Sequence, residues 1–102
     1  MFELTSLEFG RLKLNLQTRA LEFEDSSIYL RHQEFSLLLY FIQNPGRVLS
    51  RTQILEDVWD RNIFCRTNTV DVHVSVLRNK IKPYTKRQII KTIHCAGYLF
   101  DP

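Results

Sequence analysis

Asn68-Thr69-Val70-Asp71-Val72-His73-Val74-Ser75-Val76-Leu77-Arg78-Asn79-Lys80-Ile81-Lys82 is the stretch on which the fold turns. At 100° per residue, Val70, Val74, Leu77 and Ile81 fall within about 60° of one another, so one side of a helix over 68–82 faces a core. The opposite side carries Asn68, Thr69, Val72, Ser75, Val76 and Asn79, with His73, Arg78 and Lys80 on the flanks. Its solvent side therefore presents two valines one turn apart. Asn68 is expected to cap the helix, with Asp71 at the third helical position beside the positive end of the dipole.

Upstream, Ser50-Arg51-Thr52-Gln53 has the spacing of a capping box and starts a second helix. Its Ile54, Leu55, Val58 and Trp59 share a face, and it ends before Asp60-Arg61-Asn62. Val48-Leu49 reads as a short extended link. Before it, Phe35, Leu38, Leu39 and Ile42 mark one face of a first helix running from Gln33 to the Asn44-Pro45-Gly46 stop. The first thirty residues alternate instead. Leu12, Leu14 and Leu16, then Leu21 and Phe23, then Ile28-Tyr29-Leu30 after the turn Glu24 to Ser27, predict three or four short antiparallel strands.

Downstream of Lys82-Pro83-Tyr84 the period of two returns. Gln88 to Ile93 and Tyr98 to Phe100 read as strands joined by a turn at His94-Cys95-Ala96-Gly97. The chain is thus an α+β fold of strands, three helices and a hairpin.

Composition bounds the rest. With 102 residues, 44% hydrophobic and 25% charged, and only 3 Gly and 3 Pro, the chain is one folded domain with no disordered or membrane-spanning character. Two cysteines without a secretory leader fit a reducing, cytoplasmic compartment. Residues 61–100 hold eight lysines and arginines against Asp71 alone, a local net of +7, whereas the whole chain is only +3. A basic third on a slightly acidic body suits a polyanionic partner, and equally a solvated lysine-rich face.

No pattern points to catalysis, a metal or a cofactor. Neither Cys65 nor Cys95 sits in a zinc spacing, and adjacent His94 and Cys95 are not placed for one to activate the other. Three helices closed by a basic hairpin do match a winged helix-turn-helix, with the third helix in the major groove and the hairpin on the backbone or minor groove. Val72 and Val76 then have the size to meet thymine methyls. The competing reading is a winged helix that binds protein, with the two valines as an interface patch.

Six blocks carry a more specific resemblance: Glu34-Phe35-Ser36-Leu37-Leu38, Pro45 to Arg51, Val58-Trp59, Thr69 to Val74, Leu77 to Ile81 and Gly97 to Phe100. Together they resemble the effector domain of OmpR/PhoB-type response regulators over essentially the whole chain, residues 1–102. The resemblance implies an antiparallel four-stranded N-terminal sheet, three helices and a C-terminal β-hairpin wing, with a receiver domain for which these residues leave no room. It implies sequence-specific binding of double-stranded DNA in transcriptional regulation. Two copies would bind direct-repeat sites, and the isolated domain would be monomeric off DNA.

By resemblance, Arg51, Trp59, His73 and Arg78 are phosphate contacts, Thr69 and Val72 face bases, and Thr92 and Tyr98 hold the backbone from the wing. Asn68, Ser75, Val76 and His94 occupy further DNA-facing positions where the family usually has arginine or lysine. The same comparison puts glycine at Cys95 and a Thr-Pro cap at Arg31-His32. Ile63 and Phe64 lie in the loop that contacts RNA polymerase in the family, although both also suit a core plug. Fewer cations in the groove imply a shallow salt dependence and a preference for sites containing A·T pairs.

Overall fold

The structure is a computed structural model that describes residues 5–59 and 66–102. Four short strands come first: β1 (Ser6–Phe9), β2 (Leu12–Asn15), β3 (Leu21–Phe23) and β4 (Ser26–Ile28). They form an antiparallel sheet in chain order, with Leu12 opposite Phe23 and Leu14 opposite Leu21. Leu12, Leu14 and Leu21 are buried while Lys13 is exposed, which is the outcome of strict alternation over a one-sided core. The last strand ends earlier than the pattern suggested. It takes in Ser26 and Ser27 and stops at Ile28, leaving Tyr29 exposed, because Glu24 at φ 52° already turns the chain.

Helix α1 spans His32–Gln43. Its buried residues are Glu34, Phe35, Leu37, Leu38 and Phe41, whereas Leu39 and Ile42 are half-buried against the core. The expected face of Phe35, Leu38, Leu39 and Ile42 was therefore rotated by about one residue. Between Phe35 and Ile42 only Ser36 interrupts the run of apolar and aromatic residues, so hydrophobic spacing alone does not set the helix phase. Glu34 sets it: its carboxylate accepts from the Arg31 N–H at 3.0 Å and from the Lys80 ammonium of the third helix. Arg31 itself provides no side-chain cap, and Glu34 takes over that task.

The segment Val48–Leu49 is more than a link. It forms strand β5, the edge of a second sheet in the order β5-β7-β6, with β6 at Ile90–Ile93 and β7 at Gly97–Phe100. Val48 pairs with Leu99 and Leu49 with Tyr98, so the hairpin is fixed to the helical body along its backbone. Gly97 makes this approach possible. Its φ is 141°, and a Cβ there would lie 2.0 Å from the Leu49 carbonyl oxygen. Phe100 joins the layers, edge-on to Phe9 at 5.6 Å and stacked on Phe41 at 6.3 Å.

Helix α2 (Arg51–Val58) begins as expected, with the Ser50 hydroxyl accepting from the Gln53 N–H at 3.1 Å. Helix α3 (Asn68–Ile81) buries Val70, Val74, Leu77 and Ile81, and a short 3₁₀ turn over Lys82–Tyr84 follows it. Its start differs from the expected cap. Asn68 is the first helical residue, and Thr67 before it is already helical with no side-chain cap bond. A tight turn supplies acceptors instead: the Thr69 N–H donates to the Arg66 carbonyl at 3.0 Å and the Val70 N–H to Thr67 at 3.1 Å.

Candidate nucleic-acid interface

Helix α3 has three outward sectors, each with its own chemistry. At 100° per residue, Asp71 and Arg78 lie within about 20° of each other on the flank beside the hairpin, and His73 lies on the far flank. Between them the outer face exposes Asn68, Val72, Ser75 and Asn79. Val72 is 58% exposed, whereas Val76 is half-buried, so only one of the two valines is presented fully to solvent. Four residues exceed one turn by about 40°, which rotates Val76 towards the Thr69–His73 flank.

On that far flank His73 Nδ1 lies 2.8 Å from the Thr69 carbonyl oxygen, and its ring meets Trp59 edge-on at 5.0 Å. A carbonyl accepts only, so Nδ1 carries the proton when the ring is neutral and Nε2 is then an acceptor; the imidazolium offers Nε2–H as a donor. Trp59 ends α2 and buries its ring. The two aromatic groups wedge α2 against α3.

The hairpin flank is a polar network. The Arg51 Nε donates to Asp71 Oδ1 at 2.6 Å, and the Tyr98 hydroxyl donates to the same oxygen at 2.5 Å. Arg78 donates through Nε to the Ile90 carbonyl and through Nη2 to the Thr92 hydroxyl, each at 2.8 Å. Both guanidinium groups also lie over the Tyr98 ring, Arg51 at 5.5 Å and Arg78 at 5.4 Å. Tyr98 itself is 4% exposed. Arg51, Arg78, Thr92 and Tyr98, singled out separately in the sequence, are thus one assembly centred on Asp71 and Tyr98, two residues from different elements.

The ionisation pattern follows from these contacts. Burial pushes the Asp71 carboxyl up, but the Tyr98 hydroxyl and the Arg51 guanidinium outweigh it and hold the group below the usual carboxylate range. Burial, reinforced by Asp71, pushes the Tyr98 phenol up. Asp71 raises Arg51, whereas burial lowers Arg78, which meets neutral acceptors.

His94 and Cys95 are exposed in the turn between β6 and β7, with Cys95 in the left-handed region at φ 61°. That conformation explains why glycine suits the position. Ile63 and Phe64 lie outside the described residues. Beyond α3, a cleft of about 480 Å³ is lined by Arg78, Lys82, Lys86 and Arg87 over Ile81, Ile89 and Ile90. Three cations of the basic third are paired, Arg87 of the cleft among them: Lys80 with Glu34, and Lys91 and Arg87 with Asp101. Among the described residues, no three of His, Cys, Asp and Glu are grouped to hold a metal ion, and no helix is long and apolar enough to cross a membrane.

Two contributors escaped the sequence reading. In the sequence Asp71 reads as a partner of the helix dipole, because an acid in a first turn carries no sign of a partner from another element. Val48-Leu49 was too short for an alternation to register.

Comparison with known proteins places the fold in a family. Residues 25–100 match the family described as "Transcriptional regulatory protein, C terminal". The transcriptional regulatory protein CiaR of Streptococcus pneumoniae is 35% identical over 98 residues, which cover 96% of this chain and 44% of CiaR. The chain therefore spans less than half the length of that relative. Among solved structures, the C-terminal domain of the nisin resistance regulator NsrR superimposes with a TM-score of 0.78 at 32% identity, covering 94% of this chain and 98% of that one. The DNA-binding domain of Klebsiella pneumoniae RstA, solved in complex with the RstA box, gives 0.75 at 26% identity over 95% of this chain and 97% of its own.

Proposed function

Because the chain belongs to the OmpR/PhoB family of response-regulator DNA-binding domains, we propose that it binds specific sites in double-stranded DNA as the effector part of a transcriptional regulator. Helix α3 enters the major groove with Asn68, Thr69, Val72, Ser75 and Val76 towards the bases. Arg51, Trp59, His73 and Arg78 meet phosphates, and Thr92, His94 and Tyr98 bring the wing onto the backbone or minor groove. The observation that carries this reading is the outer face of α3. It is polar and narrow, with Val72 at its centre 58% exposed, and it is flanked by the His73 and Arg78 sectors.

The chemistry of that face bears on sequence preference. Val72 reads a thymine methyl by contact, and the Thr69 and Ser75 hydroxyls bond either base type, while no arginine stands on the face to seek guanine. The cationic charge that could displace counterions is partly offset, since Arg51, Lys80, Arg87 and Lys91 are each paired with a carboxylate. A·T-containing sites and a shallow salt slope follow. Direct repeats would recruit two copies, and a cytoplasmic location and a contact to RNA polymerase through Ile63 and Phe64 belong to the same proposal.

Selection of bound duplexes from a random pool, followed by fluorescence anisotropy, tests it. Val72→Ala is expected to weaken the selected site about fivefold with little change on random duplex, and Arg78→Ala to weaken both. If neither substitution changes DNA affinity, the protein-binding reading of the exposed valine replaces this one.

A further inference from the structure

Asp71 is a carboxylate on the helix proposed to approach a polyanion, at the meeting point of three elements. It is half-buried, and its Oδ1 receives Arg51 from the start of α2 and Tyr98 from the middle of β7. Tyr98 in turn lies beneath the Arg78 guanidinium, whose N–H groups run on to Ile90 and Thr92 of β6. We infer that Asp71 is a positioning residue for DNA binding, fixing the wing against the recognition helix and neutralising Arg51 so that the guanidinium meets phosphate at reduced charge.

The inference rests on the proposed DNA reading and deepens it. The geometry supports two linked effects. The hydroxyl bond from Tyr98 sets where β7 stands relative to α3, and with it the separation between Val72 on the helix and His94 at the hairpin turn. The ion pair with Arg51 matches one positive charge with one negative charge at the edge of the interface. The surface therefore gains little from non-specific phosphate attraction at Arg51, and discrimination falls to the helix face and the wing held in register with it. Arg51 keeps its terminal nitrogens for a phosphate, because the bond to Asp71 uses Nε.

Substitution separates the two effects. Asp71→Asn leaves an acceptor for Tyr98 and removes the charge, whereas Tyr98→Phe removes the hydroxyl bond and leaves the ion pair. Each protein is titrated with a selected and a random duplex across a salt series, with thermal melting as a check on the fold. Asp71→Asn is expected to tighten random-duplex binding and to steepen the salt slope by up to about 0.9, the value of one further phosphate contact. Adding Arg51→Gln should abolish that gain. Tyr98→Phe is expected to leave the slope unchanged and to reduce the preference for the selected site about fivefold.

A slope that Asp71→Asn does not change, or a gain that survives Arg51→Gln, overturns the charge-neutralising role. Undiminished selectivity in Tyr98→Phe overturns the positioning of the wing. Should Asp71→Asn melt below the assay temperature, Arg51→Gln alone carries the charge test. It strands a negative charge and should flatten the slope, and an unchanged slope would count against the inference. Wild-type protein that binds neither duplex overturns the reading of function itself, and the inference with it.

Discussion

The two sheets of this domain use polar side chains in opposite ways. In the N-terminal sheet, charged groups decorate the outside: Arg11 pairs with Glu24 with side chains 75% and 59% exposed, and Lys13 lies 3.9 Å from Glu8. These contacts stay within the sheet and its turns, and a further charged group, Arg19 between β2 and β3, reaches the start of α1 at His32 and Phe35. In the C-terminal sheet, the polar groups reach to the helices and most are half-buried, from Tyr98 and Arg51 to Asp71 and from Arg78 to Ile90, with Arg78 also reaching the exposed Thr92. Apolar burial is non-directional, whereas a hydrogen bond between elements fixes both a distance and an orientation. The first sheet needs only to cover the core. The second has to hold a wing at a fixed place beside a helix.

Gly97→Ala gives the largest expected effect, because the new Cβ would collide with the Leu49 carbonyl at a φ that suits only glycine. A loss of about 3 kcal/mol in urea unfolding, with the signals of β5 and β7 disturbed more than those of β1 to β4, is expected. Uniform disturbance of both sheets would show that the two sheets are not held independently.

Glu34→Gln comes next. Glu34 is 5% exposed; burial pushes its pKa up, but Lys80 and the Arg31 N–H outweigh burial and hold it below the usual value. A depressed carboxyl contributes stability that is fully present above the unfolded pKa of about 4.3 and is lost as pH falls through the folded value. Asp71 adds to the same acid-side loss. Glu34→Gln is expected to cost about 2 kcal/mol at neutral pH and to flatten the acid limb of a stability-against-pH curve.

Cys95→Gly should act in the other direction. Relief of a left-handed non-glycine residue at φ 61° is expected to add about 1 kcal/mol. That gain would appear as a higher melting temperature without loss of DNA binding. Arg11→Ala is the smallest change. An exposed pair of this kind is worth less than about 0.5 kcal/mol, so thermal melting should scarcely move. A larger loss would show that polar contacts in the first sheet also organise the fold.

The sequence carried the order of elements, the α3 core stripe and the Ser50 cap because each rests on local spacing. Val70, Val74, Leu77 and Ile81 stand among polar neighbours, so a single helix phase satisfies them. In α1 the neighbours are themselves apolar, and the phase was decided by a bond from Glu34 to a lysine far along the chain. The candidate site was legible in its membership, which came from resemblance to a family. Its internal wiring was not, because the contacts from Asp71 to Arg51 and Tyr98 join residues far apart in sequence. Half-buried Val76 shows the same limit: helical geometry gives a direction, and neighbouring flanks decide how much solvent remains.

Strand β5 has a consequence for how the domain comes into being. Val48 and Leu49 find their partners in Leu99 and Tyr98, half a chain length away, while β1 to β4 pair with immediate neighbours. Contacts over such separations carry the larger loop-closure cost and form late. During synthesis the N-terminal sheet and α1 can gather as soon as they emerge, but the wing sheet waits for Tyr98 and Leu99. The surface proposed to read DNA is thereby the last part of the domain to assemble, and a growing chain lacks it until these residues have been made.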